Sequence, residues 1–217
     1  MPGTTVSDLS DGVVAVTQDI AAAKKAMRAR IQAERRRRPE AERQAAAEML
    51  ARVVLELPEV AVAGCVTCYA SLPGEPGTGP LREALKAAGI AVLLPIVLAD
   101  GHLEWAVDDG DLVPTGRFGC PEPGGPRLGL EGIGRAQVVI VPALAVDTLG
   151  NRLGQGAGCY DRTLRLIDPS VPVYAVVHDD EVLDAAIEPV PATSHDLPVD
   201  AAITPHRFLR LASRRRS

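Results

Sequence analysis

The stretch Gly150–Arg162, GNRLGQGAGCYDR, gathers residue types that hold anions. Gly154, Gly156 and Gly158 alternate, and because glycine costs backbone entropy on folding, such a cluster calls for a reason. Closely spaced glycines let successive amide N–H groups turn inward as an anion nest. A helix beginning just behind them adds partial positive charge. Arg152 and Arg162 bring full charges, and phosphate is the natural guest. No Lys-Ser or Lys-Thr follows the last glycine, so this is not a P-loop, and G-x-G-x-G is not the dinucleotide fingerprint G-x-G-x-x-G. On the glycines alone, a surface turn explains the stretch as well as a phosphate site does.

Other residues divide in the same way. Asp161 offers a carboxylate of the kind that holds magnesium together with phosphate oxygens; four residues before Arg165, it also reads as a surface i,i+4 pair. Lys24 and Arg28 share one helix face, either a solvated basic surface or a grip for phosphate. Cys65 and Cys68 spell C-x-x-C, but residues three apart on a strand face opposite ways and no second C-x-x-C exists, so reduced core thiols are expected. Ser194-His195-Asp196 are adjacent and cannot converge as a hydrolase triad does.

The elements that must position these residues follow from patterning. Ile20, Ala23, Met27 and Ile31 form one stripe, predicting a helix over 19–37 closed by Arg35 to Arg38, cations suited to the negative end of its dipole. Pro39, in a first-turn position, opens a second helix to about Leu57. Residues 60–70 read as a buried strand, 81–89 as a helix ended by Gly89, and 90–97 as a strand parallel to the first. A weaker strand at 102–107 precedes residues 108–135, whose eight glycines and four prolines point to a functional loop or lid. Strands at 136–146, 171–177 and 199–204, and helices at 163–168 and 181–187, complete the chain. The glycine-rich stretch directly follows the 136–146 strand, where open parallel sheets bind ligands.

With 217 residues, 47% of them hydrophobic, the chain suits one α/β domain with a mostly parallel central sheet flanked by helices. That domain is expected over 19–210, its N-terminal helical pair packed on one side, between a partly ordered tail at 1–18 and a basic tail at 211–217. A net charge of −5 argues against a nucleic-acid partner. No apolar run has bilayer length and the first residues lack a basic n-region, so a cytoplasmic location away from membranes is expected.

Five stretches follow one another in a telling order: Lys24-Lys25-Ala26-Met27-Arg28, Glu75 and Thr78 in LPGEPGT, Gly119-Cys120-Pro121-Glu122-Pro123, Val141 through Arg162, and Pro191 with His195-Asp196. Together they resemble the motifs of the 5-formyltetrahydrofolate cyclo-ligase family, also called methenyltetrahydrofolate synthetases, over most of the chain from about Lys24 to Thr204. Cys159 stands where that family has the first Tyr of a Y-Y-D, and Val146 where it has Phe. Gln155 and Ala157 occupy positions that are often Tyr, Gly or basic.

The resemblance implies cyclisation of 5-formyltetrahydrofolate to 5,10-methenyltetrahydrofolate with ATP and magnesium, by a monomer or weak dimer. It places ATP against Lys24, Lys25, Ala26, Met27 and Arg28, and against Arg152, Leu153, Gly154, Gln155, Gly156, Ala157, Gly158, Cys159 and Tyr160. Folate contacts fall to Ala70, Glu75, Gln155, Gly156, Ala157, Gly158 and Cys159, and magnesium to Asp161 and Asp196. Arg28, Arg152 and Tyr160 would serve the chemistry, with no covalent enzyme intermediate. Two rivals stand beside this reading: a related α/β enzyme of sugar phosphates or CoA esters, and a folate- or nucleotide-binding protein without turnover.

Overall fold

The Ala- and Arg-rich N-terminal segment forms α1 (Val6–Arg37), and Pro39 breaks it from α2 (Glu40–Leu55). Beyond them the chain follows α3 (Pro58–Ala61), β1 (Cys65–Thr67), α4 (Gly79–Ala87), β2 (Ala91–Val97), β3 (Leu103–Val107), β4 (Leu112–Val113), β5 (Glu122–Pro123) and β6 (Arg127–Gly129). The second half comprises β7 (Val138–Pro142), β8 (Ala145–Asp147), β9 (Arg152–Leu153), α5 (Cys159–Thr163), β10 (Val173–Val176), β11 (Val182–Leu183), β12 (Ala201–Ile203) and β13 (Phe208–Arg210). This computed structural model describes residues 6–114 and 116–212, with side chains from residue 18 onward apart from Phe118.

Among the described residues, eight strands make the main sheet in the order β13-β12-β10-β7-β1-β2-β3-β6. The five from β12 to β2 are parallel, while β13, β3 and β6 join antiparallel at the margins. Alternation along each strand sorts side chains to two faces. Val138 and Ile140 join Val66, Leu94 and Tyr174 beneath α2 and α4, which contribute Leu50, Val54, Leu81 and Leu85. Val139 and Val141 join Leu93, Val173 and Ala175 on the opposite face. A second sheet, β11-β8-β9, packs with Ile31 and Met27 of α1 through Leu144, Leu153 and Val190. The two N-terminal helices therefore cover different surfaces: α2 lies on the main sheet and α1 on the small one.

Several local expectations yield to tertiary context. The first helix begins at Val6, not residue 19, so most of the stretch read as a tail is helical; residues 1–5 and 213–217 lie outside the described residues. Pro39 sits at the N-cap of α2, one residue outside the first turn. The predicted strand over 60–70 shrinks to three residues because Pro58, at the first turn of α3, starts a helix that buries Val60. The predicted 136–146 strand divides after Pro142, and its second half pairs with β9 and β11 instead of the main sheet. Residues 182–187 are not helical: Val182 and Leu183 pair with Val146 and Asp147, and the Asp184 carboxylate accepts the Ala186 N–H in a local turn that competes with helix; only Glu181, the end of a short 3-10 turn, is helical. Gly89 does end α4, with φ +79.

Candidate functional site

From β1 the chain proceeds to β2 on one side, whereas from β7 it proceeds to β10 and β12 on the other. The order reverses between β1 and β7, and a crevice opens beyond their C-terminal ends, where open α/β sheets bind ligands. The cavity there has a volume of about 1050 Å³. Tyr69 and Ala70, following β1, and Pro142, Ala143 and Leu144, at the end of β7, form its base.

Its longest wall is α1. Lys24, Arg28, Gln32, Arg35 and Arg36 recur at helical spacing and all reach the cavity. Lys25, Ala26 and Met27 do not. At 100° per residue they point elsewhere, Lys25 and Ala26 to solvent and Met27 into the small-sheet core. The glycine-rich loop forms the facing wall: Arg28 Nε donates to the Gly154 carbonyl at 2.8 Å, and Gln32 Nε2 to Gln155 Oε1 at 2.8 Å. Gly156 (φ +111) and Gly158 (φ +68) hold backbone conformations that side chains rarely adopt. Among the described residues, the amide N–H groups of 154–158 donate to no protein acceptor. The helix behind them, α5, is only five residues long, so its dipole adds less than the sequence pattern implied. Arg162 turns away from the cavity to donate to the Ala157 carbonyl at 3.0 Å.

The acids line the same space. Asp196 lies 2.5 Å from Lys24 Nζ and accepts the Thr193 N–H and hydroxyl at 2.6 and 2.8 Å. Burial pushes the Asp196 carboxyl up, but Lys24 and Thr193 outweigh it and hold it below the ordinary range. Asp161 accepts from Arg152 Nη2 at 2.9 Å and from the Leu197 N–H at 3.3 Å, which places it beside the segment carrying Asp196. Each keeps one oxygen, Asp161 Oδ2 and Asp196 Oδ1, without a protein donor among the described residues. No group of three His, Cys, Asp or Glu side chains suited to a metal occurs among them. Two hard carboxylates fit magnesium that brings phosphate oxygens and water as its other ligands.

Glu75, 8% exposed, faces the base of the cavity. Its carboxylate accepts the Leu72 N–H at 2.9 Å and Gln155 Nε2 at 3.3 Å. Burial nevertheless raises it above the usual carboxylate range, ahead of these opposing bonds. Tyr160 lies under the Arg152 guanidinium, 5.9 Å from ring centroid to cation, and burial pushes its phenol well up, keeping it a neutral donor. Cys120 and Cys159 also line the cavity as free thiols raised by burial.

Sequence spacing missed Gln32, Arg35 and Arg36, although all three extend the Lys24–Arg28 face by further turns. Arg35 was expected to serve the helix dipole. Instead it is buried and forked onto Glu181, with Nε and Nη2 each 2.7 Å from a carboxylate oxygen, and Nη2 also donates to the Ala143 carbonyl. Burial opposes its charge, and Glu181 more than compensates, raising its pKa. Tyr69 was not anticipated, and Cys120 and Pro121, noted only within a family-like stretch, were given no place in the site, because they approach from separate loops.

These features define a single-domain α/β protein whose ligand crevice, rich in cations and free amides, lies at the switch point of its sheet. Sequence comparison then supplies the family. Residues 20–205 match the 5-formyltetrahydrofolate cyclo-ligase family, and the chain belongs to it. The 5-formyltetrahydrofolate cyclo-ligase of Mycolicibacterium smegmatis is 40% identical over 179 residues, covering 80% of this chain and 89% of that protein. The Escherichia coli cyclo-ligase is 32% identical over 160 residues, covering 71% and 85%. The solved 5,10-methenyltetrahydrofolate synthetase of Aquifex aeolicus superposes with a TM-score of 0.70 at 26% identity, covering 87% of this chain and 92% of that one. No helix among the described residues is long and apolar enough to cross a membrane.

Proposed function

We propose that this chain converts 5-formyltetrahydrofolate to 5,10-methenyltetrahydrofolate, using ATP and releasing ADP and phosphate. Family membership supports the substrate. The observation that carries the ATP requirement is the facing of the free 154–158 amides by Lys24, Arg28 and Arg152 across one cavity.

The chemistry asks for activation of a poor leaving group. The formyl oxygen attacks the γ-phosphorus of ATP, and ADP leaves. N10 then adds to the activated formyl carbon and loses its proton to solvent. Cleavage of the carbon–oxygen bond releases phosphate and leaves the methenyl bridge between N5 and N10. Phosphoryl transfer needs positioning and charge neutralisation more than covalent help. Lys24, Arg28, Arg152 and the loop from Arg152 to Tyr160 supply these for the polyphosphate. Arg28 lies against the glycine loop and serves the junction of both substrates. Glu75 and Ala70 receive the folate, and Gln155, linked to Glu75, joins the two compartments. Tyr160 offers a neutral donor beside Arg152. Asp161 and Asp196 would hold magnesium, which when bound offsets charge on the phosphate oxygens.

In this reading the protein is cytoplasmic, monomeric or weakly dimeric, and without a nucleic-acid partner. The test follows the absorbance of the methenyl product with ATP and magnesium supplied separately and together. Conversion only in the presence of both is expected. Conversion without nucleotide, or binding of both substrates without ADP release, would overturn the proposal.

A further inference from the structure

Among the described residues, five cations line the cavity: Lys24, Arg28, Arg35, Arg36 and Arg152. Three are already committed to carboxylates, Lys24 to Asp196, Arg35 to Glu181 and Arg152 to Asp161. Arg28 is held against the Gly154 carbonyl. Arg36 alone among these is exposed, and its side chain makes no hydrogen bond or ion pair with the described residues. A cation kept at a cavity wall without an acid of its own is open to an incoming anion.

Helix α1 spans the two halves of the cavity. Lys24 meets Asp196, Arg28 meets the glycine loop, and Gln32 meets Gln155, which in turn donates to Glu75. At the next turn, Arg35 Cβ lies 3.6 Å from where a side chain on Gly74 would begin. The helix thus runs from the nucleotide side to the loop carrying Glu75. Arg36 lies eight residues beyond Arg28, about 12 Å along the axis, so the two arginines address different anions. Glu75 is buried and Arg36 exposed, which marks a closed and an open end of the folate compartment.

5-Formyltetrahydrofolate has the matching polarity. Its pterin ring is one end, and a glutamate bearing two carboxylates is the other. We propose that Arg36 forms a carboxylate subsite at the cavity mouth that docks the glutamyl end of the folate, a role that rests on the folate reading above. A guanidinium suits it because it presents two parallel N–H donors to a carboxylate. Arg36 binds substrate at a distance from the reacting atoms and selects for folates that carry the amino-acid tail.

The test pairs Arg36→Gln with a truncated substrate, the primary amide of 5-formyltetrahydropteroate, which lacks the glutamate and carries no carboxylate in its place. With the intact folate, the variant should show a KM raised roughly three- to tenfold, with kcat and the KM for ATP unchanged. With the pteroate amide, wild type and variant should have equal KM, and Arg36→Lys should recover part of the loss on the intact folate. An equal loss on both substrates, or no loss on either, would overturn the assignment. The same comparison made with calorimetric Kd values needs no turnover. A wild-type protein that binds folate without converting it would refute the ligase reading, whereas Kd values for the two substrates shifted alike would refute the subsite.

Discussion

Gly156→Ala perturbs the proposed phosphate loop at a position of positive φ that faces Arg28. The backbone there has φ +111, a region that a side-chain-bearing residue enters at a cost of about 1–3 kcal/mol. The added Cβ would stand 3.4 Å from the Arg28 guanidinium carbon and 3.6 Å from its Nη1. Strain and crowding therefore act on one cation, which is itself anchored at 2.8 Å to the Gly154 carbonyl. In a chain of this size each kcal/mol moves Tm by about 2–4 °C, so a loop that keeps its shape should lower Tm by roughly 2–12 °C. A loop that relaxes spares Tm but displaces its amides and Arg28, and ATP affinity should then fall about tenfold, equivalent to about 1.4 kcal/mol. Gly134→Ala is the control, since a Cβ there meets nothing within 4 Å and its φ is ordinary; its effect should stay within about 0.5 kcal/mol. Thermal unfolding and ATP calorimetry with magnesium, applied to both variants, decide the matter. If Gly156→Ala matches Gly134→Ala in both measurements, the loop neither needs its geometry nor grips the polyphosphate.

Other substitutions probe the remaining parts. Asp161→Asn should raise the magnesium concentration for half-maximal rate by at least about tenfold, and an unaltered metal titration would remove Asp161 from the site. Glu75→Gln should raise the folate KM yet stabilise the protein at pH 7. The folded carboxyl lies above its unfolded value, so ionisation destabilises as pH rises through that interval; the Tm advantage of the amide should vanish as pH falls towards 4, and a variant less stable at pH 7 contradicts this. Glu181→Ala strips the buried Arg35 of its acid and the His178 N–H of its acceptor, which should cost about 3–5 kcal/mol in urea unfolding. A loss below about 1 kcal/mol would mean that Arg35 finds another partner.

Short-range patterning made much of the molecule legible. The continuous apolar runs VVIVP and VYAV announced strands buried on both faces, and Gly89 announced a helix end, because each depends on neighbours only a few residues away. The spacing of Lys24 and Arg28 and the run from Gly154 to Asp161 identified part of the two facing crevice walls for the same reason. Where local preference met a distant partner, it lost. Arg35 read as a cation serving the end of the helix dipole until Glu181, 146 positions away, buried it, and residues 181–187 looked helical until Val146 and Asp147 offered a strand. The reversal between β1 and β7, which creates the cavity, is a property of strand order and leaves no trace in either strand. Likewise only the folded chain shows that Lys24 and Arg152 already hold acids while Arg36 does not, because charges far apart in sequence are paired by the packing of the elements that carry them.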